Sequence, residues 1–164
     1  MSPTRAVVAT GGPGLVKDAL VEAYESDGLT VHVDERVSND NFVRLLVSDE
    51  DDHSSKVELG WDWRAQPPVV LDIGPVLHPD DAVANKVTAL WGRTLPRDYL
   101  DVDAALTSGR YTRADLLRLT AEHDGGFDPR MFAAALAELT RIPDERFASY
   151  GIDGAELAAL RALR

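Results

Sequence analysis

The spacing of hydrophobic and polar positions changes once along the chain, near Pro79. Before that point, apolar positions recur at helical spacing over residues 15–27, and short apolar segments follow, two of them alternating. They predict one helix and then four strands, LTVHVDE, FVRLLVS, KVELGWDW and PVVLDIG. After Pro79 the spacing is helical and predicts helices over residues 80–93, 97–108, 112–123, 128–140 and 153–163.

This change of spacing predicts an α+β protein. Residues 1–78 are expected to form a mixed sheet of about four strands with one helix packed on it, and residues 79–164 an all-helical lobe. The chain has 164 residues, of which 45% are hydrophobic. That is enough to bury one ordinary core, or the shared core of two small lobes.

Composition excludes several classes of protein. A net charge of -11 repels a nucleic-acid backbone, so any nucleic-acid contact must be local, and basic residues concentrate between Arg93 and Arg118. Without cysteine, disulfides and thiolate zinc sites are excluded, and the four histidines lack ligand spacing. The apolar runs are shorter than the ~18 to 20 residues of a membrane span, so a soluble, cytoplasmic protein is expected.

Two short segments suggest binding sites, but each has a simpler interpretation. The acidic run SDEDDHSS, residues 48–55, is favoured as a solvated hairpin loop over a metal site, because blocks of like charge are usually exposed. GGPG, residues 11–14, precedes a helix as a phosphate loop does, yet no Lys-Ser pair follows it. A mobile N-terminal turn is therefore favoured there.

The segment VANKVTALWGRTLPRDYLDVDAAL, residues 83–106, places charges inside an apolar helical pattern. On a helical wheel, Lys86 and Arg93 lie within about 20° of each other, beside the apolar stripe. That stripe consists of Val83, Val87, Leu90 and Trp91. A lysine on a half-buried face has nothing local to offset its desolvation, so Lys86 is expected to meet an anion.

The next predicted helix carries two carboxylates. Asp98 and Asp101 share a face with Val102 and Ala105, and the short connection TLP should bring them near Lys86 and Arg93. A structural interpretation competes with this functional one. Asp98 could be the N-cap of its helix, which is the interpretation favoured for that residue, and Arg93 and Arg97 could form surface ion pairs.

The segment HPDDAVANKVTALWGRTLPRDYLDVDAAL resembles the hallmark segment of AbiEii-type nucleotidyltransferase toxins, the MenT-like group included. In that family an aspartate-led helix carries a lysine, an arginine follows, and an Arg-Asp-Tyr/Leu-x-Asp motif opens the next helix. The resemblance extends through LTVHV, FVRLLV and KVELGWD and covers most of the chain.

The resemblance implies a polymerase-β-like nucleotidyltransferase lobe joined to a helical lobe, with a nucleoside triphosphate (NTP) and Mg²⁺ held between them. By position, Lys86 and Asp101 match catalytic residues, and Arg93, Arg97 and Asp98 match substrate-binding residues. Glu58 in KVELG could match a third carboxylate that binds metal, although an exposed strand position explains it equally well.

The implied function is that of a toxin in a toxin-antitoxin or abortive-infection system. Such a toxin transfers nucleotides from an NTP to RNA, here expected at the tRNA 3′ end, blocks translation and is restrained by a cognate antitoxin. The family's first motif is Gly-Ser or Gly-Gly followed by Asp-x-Asp or Asp-x-Glu ahead of the first long helix. The chain does not contain it there, so the main metal ligands are expected upstream of Met1. The alternative is a non-catalytic nucleotide- or partner-binding module on the same scaffold.

Overall fold

The computed structural model describes residues 12–162, and the chain divides into two compact units. One unit contains the described residues up to Trp63 together with Asp72–Pro75, and the other contains Arg64–Leu71 and the described residues from Val76 onward. Each unit has its own hydrophobic core. The lobe boundary between residues 78 and 79 stays a prediction. Within residues 12–162, no helix is long and apolar enough to cross a membrane.

The first unit is an antiparallel sheet with one helix on it. Its elements are helix α1 (Pro13–Ser26) and strands β1 (Thr30–Val33), β2 (Phe42–Ser48) and β3 (Ser54–Gly60), in the sheet order β1-β2-β3. Alternation along β2 buries Val43, Leu45 and Val47 on one face, and Leu20 and Val21 of α1 pack against that core.

Both short segments that suggested binding sites flank elements of this unit. The acidic run forms the β2-β3 hairpin loop, as predicted, and the Asp49 carboxylate accepts backbone N–H groups from Asp51 at 3.0 Å and His53 at 2.9 Å. Gly12 is the N-cap of α1 and Pro13 its first residue. Gly11, with which the predicted GGPG turn begins, lies outside the described residues.

The predicted fourth strand, PVVLDIG, differs in the structure. It becomes two short strands, β4 (Val69–Leu71) and β5 (Gly74–Val76), which form a separate two-stranded sheet. Asp72 is a poor strand residue, and Gly74 has a φ of 108°, which ends the extended run. The α+β class is confirmed. The single four-stranded mixed sheet is replaced by an antiparallel three-stranded sheet and this pair.

The second unit is mostly helical. Its helices are α2 (Pro79–Arg93), α3 (Pro96–Thr107), α4 (Arg113–His123), α5 (Pro129–Ala137), α6 (Glu145–Ala148) and α7 (Gly154–Ala162), with a 3₁₀ turn at Glu138–Arg141. The change of spacing at Pro79 is confirmed, because the strands of the described residues all end by Val76. Sequence reasoning missed α6, since four residues are too few to show helical spacing.

The core of the helical unit fixes α2 and α3. Val87 and Leu90 of α2 are fully buried, as their stripe predicted, and Val102 of α3 joins them. Tyr99 is buried beside them, and its hydroxyl donates to the carbonyl of Ala135 at 2.6 Å. Burial raises the pKa of Tyr99 to about 12, because ionisation would place a charge in the core. These contacts hold α2 and α3 in place.

Candidate functional site

The turn between α2 and α3 positions the candidate residues. Thr94 adopts the left-handed conformation, with φ 48°, and its N–H donates to the carbonyl of Leu90 at 3.1 Å. Pro96 then opens α3, a position that suits proline because its missing N–H would have no helical partner and its φ is preset. The chain therefore leaves one helix and enters the next within two residues.

Lys86 and Asp101 meet across this helix pair, as predicted. Lys86 Nζ lies 2.8 Å from Asp101 Oδ2, and the two side chains are 48% and 36% exposed. The ion pair fixes the lysine without removing it from solvent, so an anionic ligand could still reach it. The prediction that both residues face a cleft between the lobes stays a prediction.

Asp98 occupies a different environment, because its side chain is fully buried. Arg93 binds it in a bidentate manner, from Nε at 3.0 Å and Nη2 at 2.7 Å. The backbone N–H of Leu95 donates to the same carboxylate at 3.1 Å, and Arg97 Nε is 3.9 Å away. Bidentate arginine–carboxylate pairs are both strong and directional. Asp98 therefore fixes the direction of Arg93 and ties the turn to α3.

The structure corrects the prediction that Asp98 is the N-cap of its helix. Because α3 begins at Pro96, its N-cap is Leu95 and Asp98 is the third helical residue. Asp98 still contributes to capping, since its carboxylate accepts the otherwise unpaired N–H of Leu95. The same Asp98 carboxylate therefore caps α3 and holds Arg93, so the structural and the functional interpretation are compatible.

The carboxylates near Arg93 stabilise its protonated form. Hydrogen bonding to Asp98 raises the pKa of Arg93, burial alone would lower it, and the negative charges of Asp98 and Asp101 raise it further. Arg93 is therefore electrostatically linked to the Asp101 that binds Lys86. Its side chain as a whole remains 46% exposed.

Sequence reasoning missed the roles of two aspartates at the start of α2. Asp81 is buried and accepts backbone N–H groups from Ala65 at 2.9 Å and from Gln66 at 3.1 Å. Asp80 accepts the Tyr111 hydroxyl at 2.9 Å. Two acids after a helix-opening proline indicate only that they favour the helix N-terminus, and nothing in that pattern identifies partners so distant in sequence.

Glu58 lies on β3 in the first unit, where two cations engage it. Arg44 Nη2 is 2.8 Å and Lys56 Nζ 3.2 Å from Glu58 Oε1. Burial alone would raise the pKa of Glu58, but hydrogen bonds and charge from Arg44 and Lys56 outweigh it and lower the pKa. The carboxylate is thus already neutralised by its neighbours across and along the sheet.

Comparison with known protein families identifies the fold. The family model of the nucleotidyl transferase AbiEii toxin, type IV toxin-antitoxin system, matches residues 12–160. The chain belongs to this family. Neither the curated proteins nor the solved structures compared with the chain gave a match. The AbiEii domain is a nucleotidyltransferase toxin domain, and its toxin-antitoxin system implies a cognate antitoxin.

Nucleotidyltransferases of this kind generally use an NTP and a divalent metal, for which carboxylates are suitable ligands. Across residues 12–162, no three acidic or histidine side chains are grouped to hold a metal ion. Glu58 is bound by two cations, and Asp98 by Arg93. The described residues therefore do not fit a metal centre.

Proposed function

We propose that this AbiEii-family protein is a cytoplasmic toxin that transfers nucleotides from an NTP to RNA, with the tRNA 3′ end as acceptor, and so blocks translation. The observation that carries the proposal is the partly exposed Lys86–Asp101 pair, on the two helices whose connecting turn is fixed by the Arg93–Asp98 pair. Within a family of nucleotidyltransferases, accessible cations held by neighbouring carboxylates suit a triphosphate.

The proposed roles follow from exposure and contacts. Lys86 and Arg93 offset charge on the triphosphate oxygens, whose stabilisation is the main task of the protein in phosphoryl transfer. Arg97, which is 49% exposed, is a further cation for binding substrate. Asp101 holds the lysine in position and is itself accessible to the reacting groups. Asp98 acts through Arg93, because it is fully buried and cannot touch a ligand.

The experiment measures incorporation of each of the four labelled NTPs into total tRNA with Mg²⁺, the proposed metal. Two forms are assayed, the 164-residue chain and a form lengthened by the in-frame codons before Met1. The substitutions are then made in whichever form is active. Lys86→Ala and Asp101→Ala should each lose most activity, because both contact the proposed substrate. Lys17→Ala is the matched control, since Lys17 is also a surface lysine in an ion pair, with Asp18 at 3.2 Å.

Two results would decide against this function. Full activity of Lys86→Ala would remove the lysine from the mechanism. Absence of transfer with every NTP in both forms, combined with measurable NTP binding, would favour the non-catalytic binding module.

A further inference from the structure

A polar cleft lies in the helical unit, where α3 begins. Its volume is about 350 Å³. Its lining consists of Leu95, Pro96, Arg97, Arg146, Ser149 and Tyr150. Two arginines thus line it and no carboxylate does. Because the whole chain carries a charge of -11, a cleft whose charged side chains are both positive is a local exception.

The charge of this cleft is not cancelled by nearby acids. The side chain of Arg146 is exposed and makes no ion pair within residues 12–162. Asp144, two positions earlier, is bound by Arg161 at 2.8 Å. The carboxylate nearest Arg97 is Asp98, which already accepts two hydrogen bonds from Arg93. Both arginines of the cleft therefore retain donors for an external anion.

The hydroxyl groups of the cleft complete a set of phosphate donors. The Tyr150 hydroxyl has no hydrogen-bond partner among the described residues, and Ser149 Oγ makes only a 3.3 Å contact to the carbonyl of Arg146. Guanidinium and hydroxyl groups are among the side-chain donors that contact nucleic-acid phosphates. An aromatic ring beside them can also stack on a base.

We propose that this cleft binds a backbone phosphate of the acceptor RNA, with Arg97 and Arg146 as its cations. The inference rests on the proposed function, which requires an RNA acceptor. Arg97 contacts Asp98, and Asp98 binds Arg93, so the cleft borders the cluster that is proposed to hold the triphosphate. An acceptor held there lies beside the reacting nucleotide. On a strongly acidic protein, such a local basic site is the kind of contact that RNA requires.

The test measures binding of a fluorescent single-stranded RNA to the full chain by anisotropy at several salt concentrations, without NTP or metal. Each lost phosphate contact makes the slope of log K against log salt less steep by about 0.7. If the variant and the native protein have equal affinity at 1 M salt, this change is about a fivefold loss of affinity at 0.1 M salt. Arg146→Gln should show this loss, and Arg146→Lys should restore most of the slope. Arg130→Gln is the matched control, because Arg130 on α5 is exposed and makes no ion pair within the described residues.

The outcomes separate this inference from the proposed function. Equal slopes for Arg146→Gln and Arg130→Gln would overturn the cleft assignment, even if nucleotide transfer is found. A reduced slope for Arg146→Gln would support it, even if transfer is absent. Competition of ATP and of inorganic phosphate with the RNA distinguishes an RNA backbone phosphate from a triphosphate or a free phosphate as the ligand of the cleft. Weaker ATP binding by Arg146→Gln with unchanged RNA binding would assign the cleft to the triphosphate and overturn the inference.

Discussion

Replacing Asp98 by asparagine should destabilise the helical unit far more than the same replacement of Asp101. Asp98 is fully buried and accepts two hydrogen bonds from Arg93 and one from the backbone of Leu95. Asparagine keeps the shape but turns one acceptor into an N–H donor that faces the guanidinium. Asp101 forms a single partly exposed pair with Lys86, where water can replace the lost partner.

The magnitudes follow from these contacts. A hydrogen bond to a charged group contributes about 1.5 to 3 kcal/mol, and breaking a buried pair costs about 3 to 5 kcal/mol. Arg93 is 46% exposed, so hydration recovers part of that loss. We expect Asp98→Asn to lower the free energy of unfolding by about 2 to 3 kcal/mol. For Asp101→Asn, the expected change is below about 1 kcal/mol, as for exposed ion pairs.

The assay is urea denaturation followed by far-ultraviolet circular dichroism, which reports mainly on the helices. A lower midpoint at constant slope would show a change in stability rather than in the surface exposed on unfolding. If Asp98→Asn and Asp101→Asn shifted the midpoint equally, the argument from burial would be refuted. A large shift for Asp101→Asn would also undermine its use as a site residue, because lost activity could then reflect unfolding.

Three further predictions concern single side chains. Burial raises the pKa of Tyr99 to about 12 from an ordinary value of 10.0, so its neutral form stabilises the fold below pH 10 and that contribution is lost as pH rises towards 12. Urea midpoints should therefore fall more steeply over this range in the native protein than in Tyr99→Phe, and parallel curves would contradict the assignment. The lowered pKa of Glu58 predicts stability that is present above its ordinary value of 4.5 and lost as pH falls below it, so acid melts of Glu58→Gln should show less of this loss. Thr94→Gly should raise stability by up to about 1 kcal/mol, because glycine adopts the left-handed φ without strain; a lower melting temperature would show that threonine contacts outweigh that strain.

Periodicity was enough to predict most elements and to place the cations of α2 near the carboxylates of α3. In α2, residues seven apart share a face, so the lysine and arginine beside the apolar stripe follow from helix geometry alone. The two-residue turn to α3 then leaves few ways to place Asp101. Alternation along β2 likewise predicts which of its side chains are buried. These conclusions depend only on neighbours close in sequence.

Other features depend on contacts that no local pattern contains. The pairing of Asp81 with the backbone of Ala65, the bond from Tyr99 to the carbonyl of Ala135, and the shared cleft of Arg97 and Arg146 join residues far apart in the chain. Helix and strand periods specify which face a residue occupies, but burial and partners depend on which other element packs there. Tertiary structure alone therefore decided that Asp98 is buried while Asp101, on the same helix face, remains accessible to a ligand.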